Sequence, residues 1–282
     1  MPPPTPAQIR QAASELGFSL CGITRAVSSP GHSRLVDWIA AGYAADMNYF
    51  QDRVEAYRHP NSVLPGVQSI IALAFPYPAE VAPELSNHHG RVARYAWQGS
   101  DYHDVIHPKL KTLCRWIDTE SSDGQSSAGR SRGVVDTAPL LEREVAQLAG
   151  LGWRGKNTLV IRPGMGSYFF LAFVLTGATL DVDTPFETYH CGTCTACLDA
   201  CPTKAFPEPG VMDASKCISY LTIEHRGPIP IEFRHSMGDW LFGCDVCQEV
   251  CPWNRKPSRD ETSRSTSLGP TRTRSTPRQS TP

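Results

Sequence analysis

Cysteines are the residues of this chain whose type and spacing could do chemistry. Four of its ten cysteines lie in the stretch CGTCTACLDACPTKAF, at positions 191, 194, 197 and 201, and a proline follows the last of them. This is the C-x2-C-x2-C-x3-C-P run with which bacterial ferredoxins bind 4Fe–4S clusters. The spacing therefore predicts an iron–sulfur centre whose chemistry is electron transfer.

A second, incomplete run lies further along the chain. The stretch GCDVCQEVCPW supplies Cys244, Cys247 and Cys251, and Cys217 is the available fourth cysteine, set back by an insertion. In two-cluster ferredoxins the fourth cysteine of each run binds the other cluster. That rule predicts two crossed ligand sets, Cys191, Cys194, Cys197 and Cys251 for one cluster, and Cys201, Cys217, Cys244 and Cys247 for the other.

A pair of zinc sites is the alternative interpretation of these cysteines, because structural zinc also uses paired C-x2-C units. Zinc does not account for the third cysteine of the first run or for the proline after each run. The pattern therefore favours two 4Fe–4S clusters. The remaining cysteines, Cys21 and Cys114, have apolar or helical neighbours and are predicted to be buried thiols.

Composition limits the classes of protein to which the chain can belong. Hydrophobic residues make up 40% of its 282 residues, enough for a core, and the net charge of −1 gives no general affinity for polyanions. The N-terminus has no signal-peptide core, and the most apolar run, residues 168–180, is too short to span a bilayer. We expect a cytoplasmic protein without membrane association, in which so many cysteines indicate metal.

Hydrophobic periodicity predicts the elements that must position this chemistry. Helices are predicted over residues 5–18, 33–53, 107–120 and 140–150. Strands are predicted over residues 67–77, 158–161 and 168–176, and VVDTAP, from residue 134, is a short strand that meets a turn. Because helices and strands do not alternate strictly, the order favours an α+β fold.

The composition divides the chain into three parts. Residues 1–185 are predicted to form the α+β domain and residues 186–256 a ferredoxin-like domain. Residues 257–282 are rich in Ser, Thr, Arg and Pro and are predicted to be a disordered tail. The six basic and two acidic residues of positions 256–282 suggest either weak phosphate binding or a solvated remnant.

A glycine-rich stretch, GLGWRG at residues 150–155, fits the dinucleotide-binding pattern G-x-G-x-x-G. That pattern should follow a strand and open a helix, whereas this stretch follows a predicted helix and opens a strand. With Lys156 it also nearly fits a P-loop, but Asn157 stands where Ser or Thr is required. We therefore predict no nucleotide site, although the turn can still line a pocket.

Several segments resemble the epoxyqueuosine reductase family. They are the first cysteine run together with VDTAPLLEREVAQLAGLGWRGKNTLVI, CISYLTIEHRGPIP and GDWLFGCDVCQEVCPWNRK, and the resemblance covers about residues 7–256. It implies a cobalamin-binding domain, similar to nitroreductases and reductive dehalogenases, followed by the ferredoxin-like domain with two clusters. It also implies that the helical-repeat region of longer relatives is replaced here by the tail.

The resemblance implies an oxidoreductase that reduces epoxyqueuosine to queuosine in the anticodon loop of tRNA, the last step of queuosine biosynthesis. Electrons would pass through the two clusters to cobalamin. The implied partners are tRNA carrying epoxyqueuosine and a low-potential electron donor, and we expect a monomer.

The proton donor implied by the resemblance is Asp136, which would protonate the departing epoxide oxygen. The apolar neighbours on both sides of Asp136 predict a dry setting, in which a carboxylic acid can stay protonated near neutral pH. The alternative is that Asp136 merely caps the helix that begins near Leu140.

The resemblance implies further contacts. Those with cobalamin are expected from Arg58, Asp136, Lys156, Asn157, Thr158 and Asp245, and those with substrate or tRNA from Asp101, Tyr102, His103, His225 and Arg226. Arg143 is expected either to orient Asp136 or to pair with a glutamate of its own helix. The alternative for Arg58 is a surface arginine, and the alternative for His103 is a structural role. For residues 225–226 the alternative is a solvated loop.

Two other functions compete with this interpretation. A corrinoid reductive dehalogenase is disfavoured by the lack of a twin-arginine leader and by the segments VDTAP and CISYLTIEHRGPIP. A ferredoxin-type electron carrier would leave the domain of residues 1–185 without a role.

Overall fold

The computed structural model describes residues 3–77, 90–121 and 131–255. The predicted disordered tail, residues 257–282, lies outside this part of the chain. None of the helices within the described ranges is long and apolar enough to cross a membrane.

The described residues form short strands and mostly short helices. The strands are β1 (Leu20–Arg25), β2 (Ser69–Pro76), β3 (Arg91–Val92), β4 (Ser131–Val134), β5 (Trp153–Arg154), β6 (Val160–Ile161), β7 (Phe169–Thr176) and β8 (Trp240–Phe242). The helices are α1 (Pro6–Glu15), α2 (His32–Ala40), α3 (Tyr49–Asp52), α4 (Tyr102–Glu120), α5 (Glu142–Leu148), α6 (Ala196–Asp199), α7 (Ile218–Ile223), α8 (Ile231–Arg234) and α9 (Val246–Glu249).

An antiparallel sheet forms the centre of the fold, with the strand order β1-β2-β7-β4. Strand β2 is apolar along most of its length because both of its faces are covered. Ile70 and Ala72 pack into a core that includes residues of α5, whereas Ile71 and Leu73 pack against α1 and α4. Helices therefore cover both sides of the sheet, and the predicted α+β class is confirmed.

Local chemistry explains where the helices begin and end. Thr5 and Gln8 form a capping box at the start of α1. Asp101 caps α4 through the N–H of His103, so that helix begins five residues before the start predicted from its periodicity. The single helix predicted over residues 33–53 is wrong: α2 ends at Ala40, and Gly42 follows with a φ of 76°.

The cysteine-rich segment is joined to the larger domain rather than tethered by a linker. Strand β3 pairs in parallel with β8, and the Arg91 guanidinium donates to Glu249 at 2.7 Å. The Trp38 indole donates to the carbonyl of Met212 at 2.6 Å. These contacts place the cysteine-rich segment against the sheet and define a cavity between the two.

Candidate active site

A cavity of about 470 Å³ lies between the sheet and the cysteine-rich segment. Its lining comes from the start of β7, the turn after β4, the first turns of α4 and α5, the hairpin of β5 and β6, and the loops around α7 and α9. Elements far apart in sequence therefore meet at one site.

Aromatic side chains form one wall of this cavity. Tyr102 stacks on Phe170, with ring centroids 4.4 Å apart and an interplanar angle of 17°, and Tyr95 meets Tyr102 edge-on. Burial raises the pKa of Tyr95 to about 12, so the phenol stays neutral at physiological pH. The wall is largely apolar, as in most sites that bind organic ligands.

Another part of the lining, which we call the floor of the cavity, is polar and buried. Asp245 is 2% exposed, and its Oδ2 accepts the backbone N–H of Arg94 at 2.7 Å. Burial raises the pKa of the Asp245 carboxyl, and the hydrogen bond from Arg94 opposes this rise. Buried Asn157 donates to the carbonyl of Cys247 at 3.3 Å, and Thr158 beside it lines the cavity with a left-handed φ of 68°.

Four cysteines line the cavity beside this floor, and we refer to them as the second group. Burial raises the pKa of the Cys244 thiol to about 12, and the nearby charges of Cys217 and Cys201 act in the same direction. For Cys247 the same causes raise the thiol pKa well above its usual value. The second group consists of Cys201, Cys217, Cys244 and Cys247.

Four further cysteines, the first group, do not line the cavity. The Cys191 sulfur accepts a hydrogen bond from the indole of buried Trp153 at 3.4 Å. Burial, together with the neighbouring thiols of Cys251, Cys191 and Cys194, raises the pKa of Cys197 to about 11. The first group consists of Cys191, Cys194, Cys197 and Cys251.

One set of thiols lines the cavity, and Cys251, Cys191 and Cys194 are neighbours of Cys197. The two crossed ligand sets stay a prediction. Across the described ranges, no three His, Cys, Asp or Glu side chains are drawn together tightly enough for a single metal ion. A four-iron cluster does not require that spacing, because each cysteine binds a different iron of the cubane.

Asp136 lies at the rim of the cavity, where β4 runs into a turn. Its carboxylate accepts a hydrogen bond from the Tyr102 hydroxyl, and the Nε2 of His103 lies 3.8 Å from the same oxygen. The expected dry setting is wrong, because the Asp136 side chain is 58% exposed. The apolar neighbours Val135 and Ala138 turn into the core and leave the carboxyl at the cavity mouth.

Asp136 does not cap helix α5 with its side chain. Its backbone N–H instead donates a hydrogen bond to a side chain of that helix. Helix α5 has no side-chain cap at its N-terminus. Instead, the Glu142 carboxylate in its first turn accepts the backbone N–H of Asp136 at 2.9 Å. Burial, with a smaller effect of the charge on Asp136, raises the pKa of Glu142 to about 7. Glu142 is not among the site residues predicted from the sequence, although an acidic residue in the first turn of a helix is a usable signal.

Arg143 lies in the same cavity wall as Glu142. Its side chain is exposed, although it also lines the cavity. Its expected role, orienting Asp136 or pairing with a glutamate of α5, stays a prediction.

Two residues expected at cobalamin lie away from the cavity lining. Arg58 ends a 3-10 helix, is 58% exposed and pairs with Glu55 at 2.9 Å, three residues earlier. The Lys156 ammonium donates to the carbonyls of Gly192 and Cys194, at 2.7 and 2.9 Å. Because these local partners occupy both side chains, the structure places Arg58 on the surface and Lys156 on the loop of the first cysteine group.

Of the residues expected to contact tRNA or substrate, some lie at the cavity and others lie away from it. Tyr102 lines the cavity, and His103 stacks on it with ring centroids 4.2 Å apart. Asp101 binds the Nδ1 of His103 at 2.8 Å, and the hydrogen bonds from His103 lower the pKa of Asp101. His225 lies outside the cavity lining, with its Nδ1 3.2 Å from the carboxylate of Asp46, and Arg226 is exposed.

Two family models match separate segments of the chain. The family model for epoxyqueuosine reductase QueG matches residues 58–137. The model of a 4Fe-4S double cluster binding domain matches residues 190–254, which contain all eight cysteines of the two groups.

Curated relatives agree with these models. An epoxyqueuosine reductase of Cyclobacterium marinum is 40% identical over 256 residues, which cover 90% of this chain and 81% of the relative. An epoxyqueuosine reductase of Gloeobacter violaceus is 44% identical over 262 residues, which cover 91% of this chain and 78% of the relative.

Solved structures show the same likeness. An epoxyqueuosine reductase with an epoxyqueuosine-modified stem loop of tRNA-Tyr matches with a TM-score of 0.78 and 36% identity, over 88% of this chain and 64% of that one. The Bacillus subtilis enzyme, solved with the catalytic loop of one aspartate swung out of the active site, matches with a TM-score of 0.75 and 34% identity, over 88% and 65% of the two chains.

A more distant likeness is to a catabolic reductive dehalogenase, with a TM-score of 0.56 and 16% identity over 89% of this chain and 32% of that one. At that identity the likeness concerns the fold alone, and it confirms the predicted architecture of the larger domain. This chain spans about two thirds of the length of the solved epoxyqueuosine reductases.

Proposed function

The chain belongs to the epoxyqueuosine reductase family, and from that premise we propose that it reduces epoxyqueuosine to queuosine in the anticodon loop of tRNA. The observation that carries the proposal is the cavity, whose lining contains both the second cysteine group and Asp136. A source of electrons and a source of protons face the same space, as reduction of an epoxide requires. The solved relative with a modified tRNA stem loop supports tRNA as the substrate.

Two 4Fe–4S clusters and cobalamin are the cofactors of this family, and the residues present fit them. Eight cysteines in two sets of four match the donor set of two cubanes, which bind cysteine as thiolate. We assign one cluster to the first group and the other to the second group. When bound, these cofactors supply the two electrons of the reaction.

We infer that part of the corrin of cobalamin enters the cavity and contacts the aromatic wall and the polar floor. Tyr95, Tyr102 and Phe170 offer apolar contacts to a macrocycle. Buried Asn157, Thr158 and Asp245 offer polar groups to its edge. By the same reasoning, Arg58 and Lys156 do not contribute to this site, because their partners lie elsewhere.

The reaction needs protons as well as electrons. Conversion of an epoxide into an alkene takes two electrons and two protons and releases the oxygen as water. We assign the proton donor to the Asp136 carboxyl, which the Tyr102 hydroxyl orients toward the cavity. Because Asp136 is 58% exposed, water reaches it and can restore its proton between turnovers.

The likeness to the Bacillus subtilis enzyme supports a mobile donor. In that protein the catalytic loop of an aspartate is swung out of the active site. We infer that the turn bearing Asp136 likewise moves to admit a nucleotide and closes over it. A cytoplasmic location, a low-potential electron donor and a monomeric state stay predictions.

The experiment that tests the function uses the whole chain, reconstituted anaerobically with iron, sulfide and cobalamin. The protein is given a strong reductant and tRNA that carries epoxyqueuosine, and the nucleosides are analysed by mass spectrometry. We expect queuosine to appear, and no release of halide from small organohalides offered in parallel. Fully loaded protein that leaves epoxyqueuosine intact would overturn the proposal, and halide release alone would identify a dehalogenase.

A further inference from the structure

We propose that Glu142 is a positioning residue that holds the Asp136 turn in its active conformation by accepting the backbone N–H of Asp136. The inference rests on the proposed function only in making Asp136 the proton donor. The contact itself belongs to the fold and can be tested separately from turnover.

The backbone of Asp136 needs an external restraint. Its φ of 66° lies in the left-handed region, which residues with a Cβ adopt rarely, although aspartate tolerates it better than most. Such a conformation persists when surrounding contacts enforce it. The Glu142 carboxylate supplies one at 2.9 Å, directly on the peptide N–H of the unusual residue.

The turn supplies one local restraint of its own. Thr137 donates to the carbonyl of Val135 at 2.7 Å, which closes a three-residue turn around Asp136 and suits its positive φ, and Leu140 donates to the carbonyl of Ala138 at 2.8 Å. Neither bond joins the turn to another element, as the bond to Glu142 of α5 does. Buried Val135 and Leu140 anchor the two ends of the turn in the core, with the exposed donor between them.

Glu142 is well placed to act on this peptide. It stands in the first turn of α5, where the helix favours a carboxylate, and the residues after it, Val145 and Ala146, are buried in the core. Its position is therefore set by a packed helix and not by the turn that it holds. A hydrogen bond to such an acceptor is charge-assisted when Glu142 is ionised, and the carbonyl oxygen of the protonated acid can also accept it.

This geometry predicts different effects for two substitutions. Glu142→Gln keeps a carbonyl oxygen at the same distance along the side chain and should retain kcat within about threefold. Glu142→Leu removes the acceptor and should lower kcat by about 10- to 100-fold, the effect of losing one strong hydrogen bond. The KM for tRNA should change little in both variants, because Glu142 acts on the donor and not on tRNA binding.

The experiment measures kcat, KM, iron content and amide hydrogen exchange over residues 134–140 in each variant. We expect faster exchange of this turn in Glu142→Leu and wild-type exchange in Glu142→Gln. Glu144→Gln is the matched control on the same helix, since Glu144 pairs with Arg34 and should leave both readouts unchanged. Should Glu142→Leu fail to fold, Glu142→Ala takes its place.

Each outcome decides the proposal. Equal loss of kcat in Glu142→Gln and Glu142→Leu would overturn positioning, because it would mean that Glu142 acts through its charge or proton. Unchanged exchange and kcat in Glu142→Leu would overturn it as well. If wild-type protein does not convert tRNA, the proposed function fails, while the exchange measurement still decides whether Glu142 holds the turn.

Discussion

The two cysteine groups have the same number of thiols but different surroundings. Cys194 of the first group is exposed, and none of that group lines the cavity. All four thiols of the second group line it, and burial raises the pKa of Cys247 well above its usual value. We infer that the first group receives electrons from outside and the second group delivers them to the substrate cavity.

The side chains that hydrogen-bond near the two cysteine groups also differ in whether they line the cavity. Lys156 and Trp153 hold the loop of the first group, one through backbone carbonyls and one through a sulfur. Near the second group, Asn157 donates to the carbonyl of Cys247 and Asp245 accepts the backbone N–H of Arg94, and both side chains also line the cavity. Substitutions around the first group should therefore change electron supply, whereas those around the second should change the chemical step.

The largest expected effect on turnover comes from replacing one cysteine ligand in each group. Cys247→Ser and Cys194→Ser should each lower iron content from about eight atoms to about four per chain. With a small, strong reductant that enters the cavity, Cys194→Ser should keep measurable turnover, while Cys247→Ser should lose more than about 100-fold. Iron analysis and single-turnover conversion of tRNA measure this. Equal losses in both variants would refute the assigned order of the groups.

A smaller effect on kcat is expected at the cavity rim, from the hydroxyl that contacts Asp136. Tyr102→Phe removes the hydroxyl that donates to Asp136 but keeps the ring stacked on Phe170. Because a net hydrogen bond contributes about 1 kcal/mol, kcat should fall about fivefold with normal cofactor content. The control is Tyr43→Phe, outside the cavity lining. An unchanged kcat in Tyr102→Phe would show that the hydroxyl does not orient the donor.

Lys156→Met should affect the first group alone. Loss of the two hydrogen bonds to the carbonyls of Gly192 and Cys194 loosens the loop that carries that group. We expect about half of the iron to be released several-fold faster to a chelator and the other half at the wild-type rate. Uniform acceleration of all the iron would contradict the separation of the two groups.

The smallest effect is expected from Arg58→Ala. Arg58 and Glu55 form an exposed ion pair, and such pairs add little to stability. Melting temperature and cobalamin binding, followed by absorbance titration, should both match the wild type. Weaker cobalamin binding by Arg58→Ala would instead support the contact between Arg58 and the corrin that the family resemblance implies.

The sequence identifies the cysteine chemistry well because ligand spacing in a ferredoxin run is local. Cys191, Cys194 and Cys197 are three residues apart, and the fold has only to bring Cys251 to them. Strand β2 was similarly predictable, because burial of both faces leaves a continuous apolar run.

The surroundings of Asp136 were not predictable in the same way. Its contact with Tyr102 joins residues 34 positions apart, and apolar neighbours in sequence do not reveal which side chains turn outward. The Gly-rich turn shows the same limit. Adjacent Lys156 and Asn157 point to different partners, the loop of the first group and the carbonyl of Cys247. Sequence alone does not determine this division, because tertiary packing decides it.

The most direct test of the account is single-turnover conversion of epoxyqueuosine tRNA by the Asp136→Asn variant, with iron and cobalamin content matched to the wild type. Since general acid catalysis contributes about 100- to 10,000-fold, the account predicts a loss of that size with unchanged tRNA binding. Asp104→Asn, an exposed position in the first turn of α4, is the matched control and should convert tRNA normally. Near-normal conversion by Asp136→Asn would contradict the assignment of Asp136 as the proton donor in this cavity.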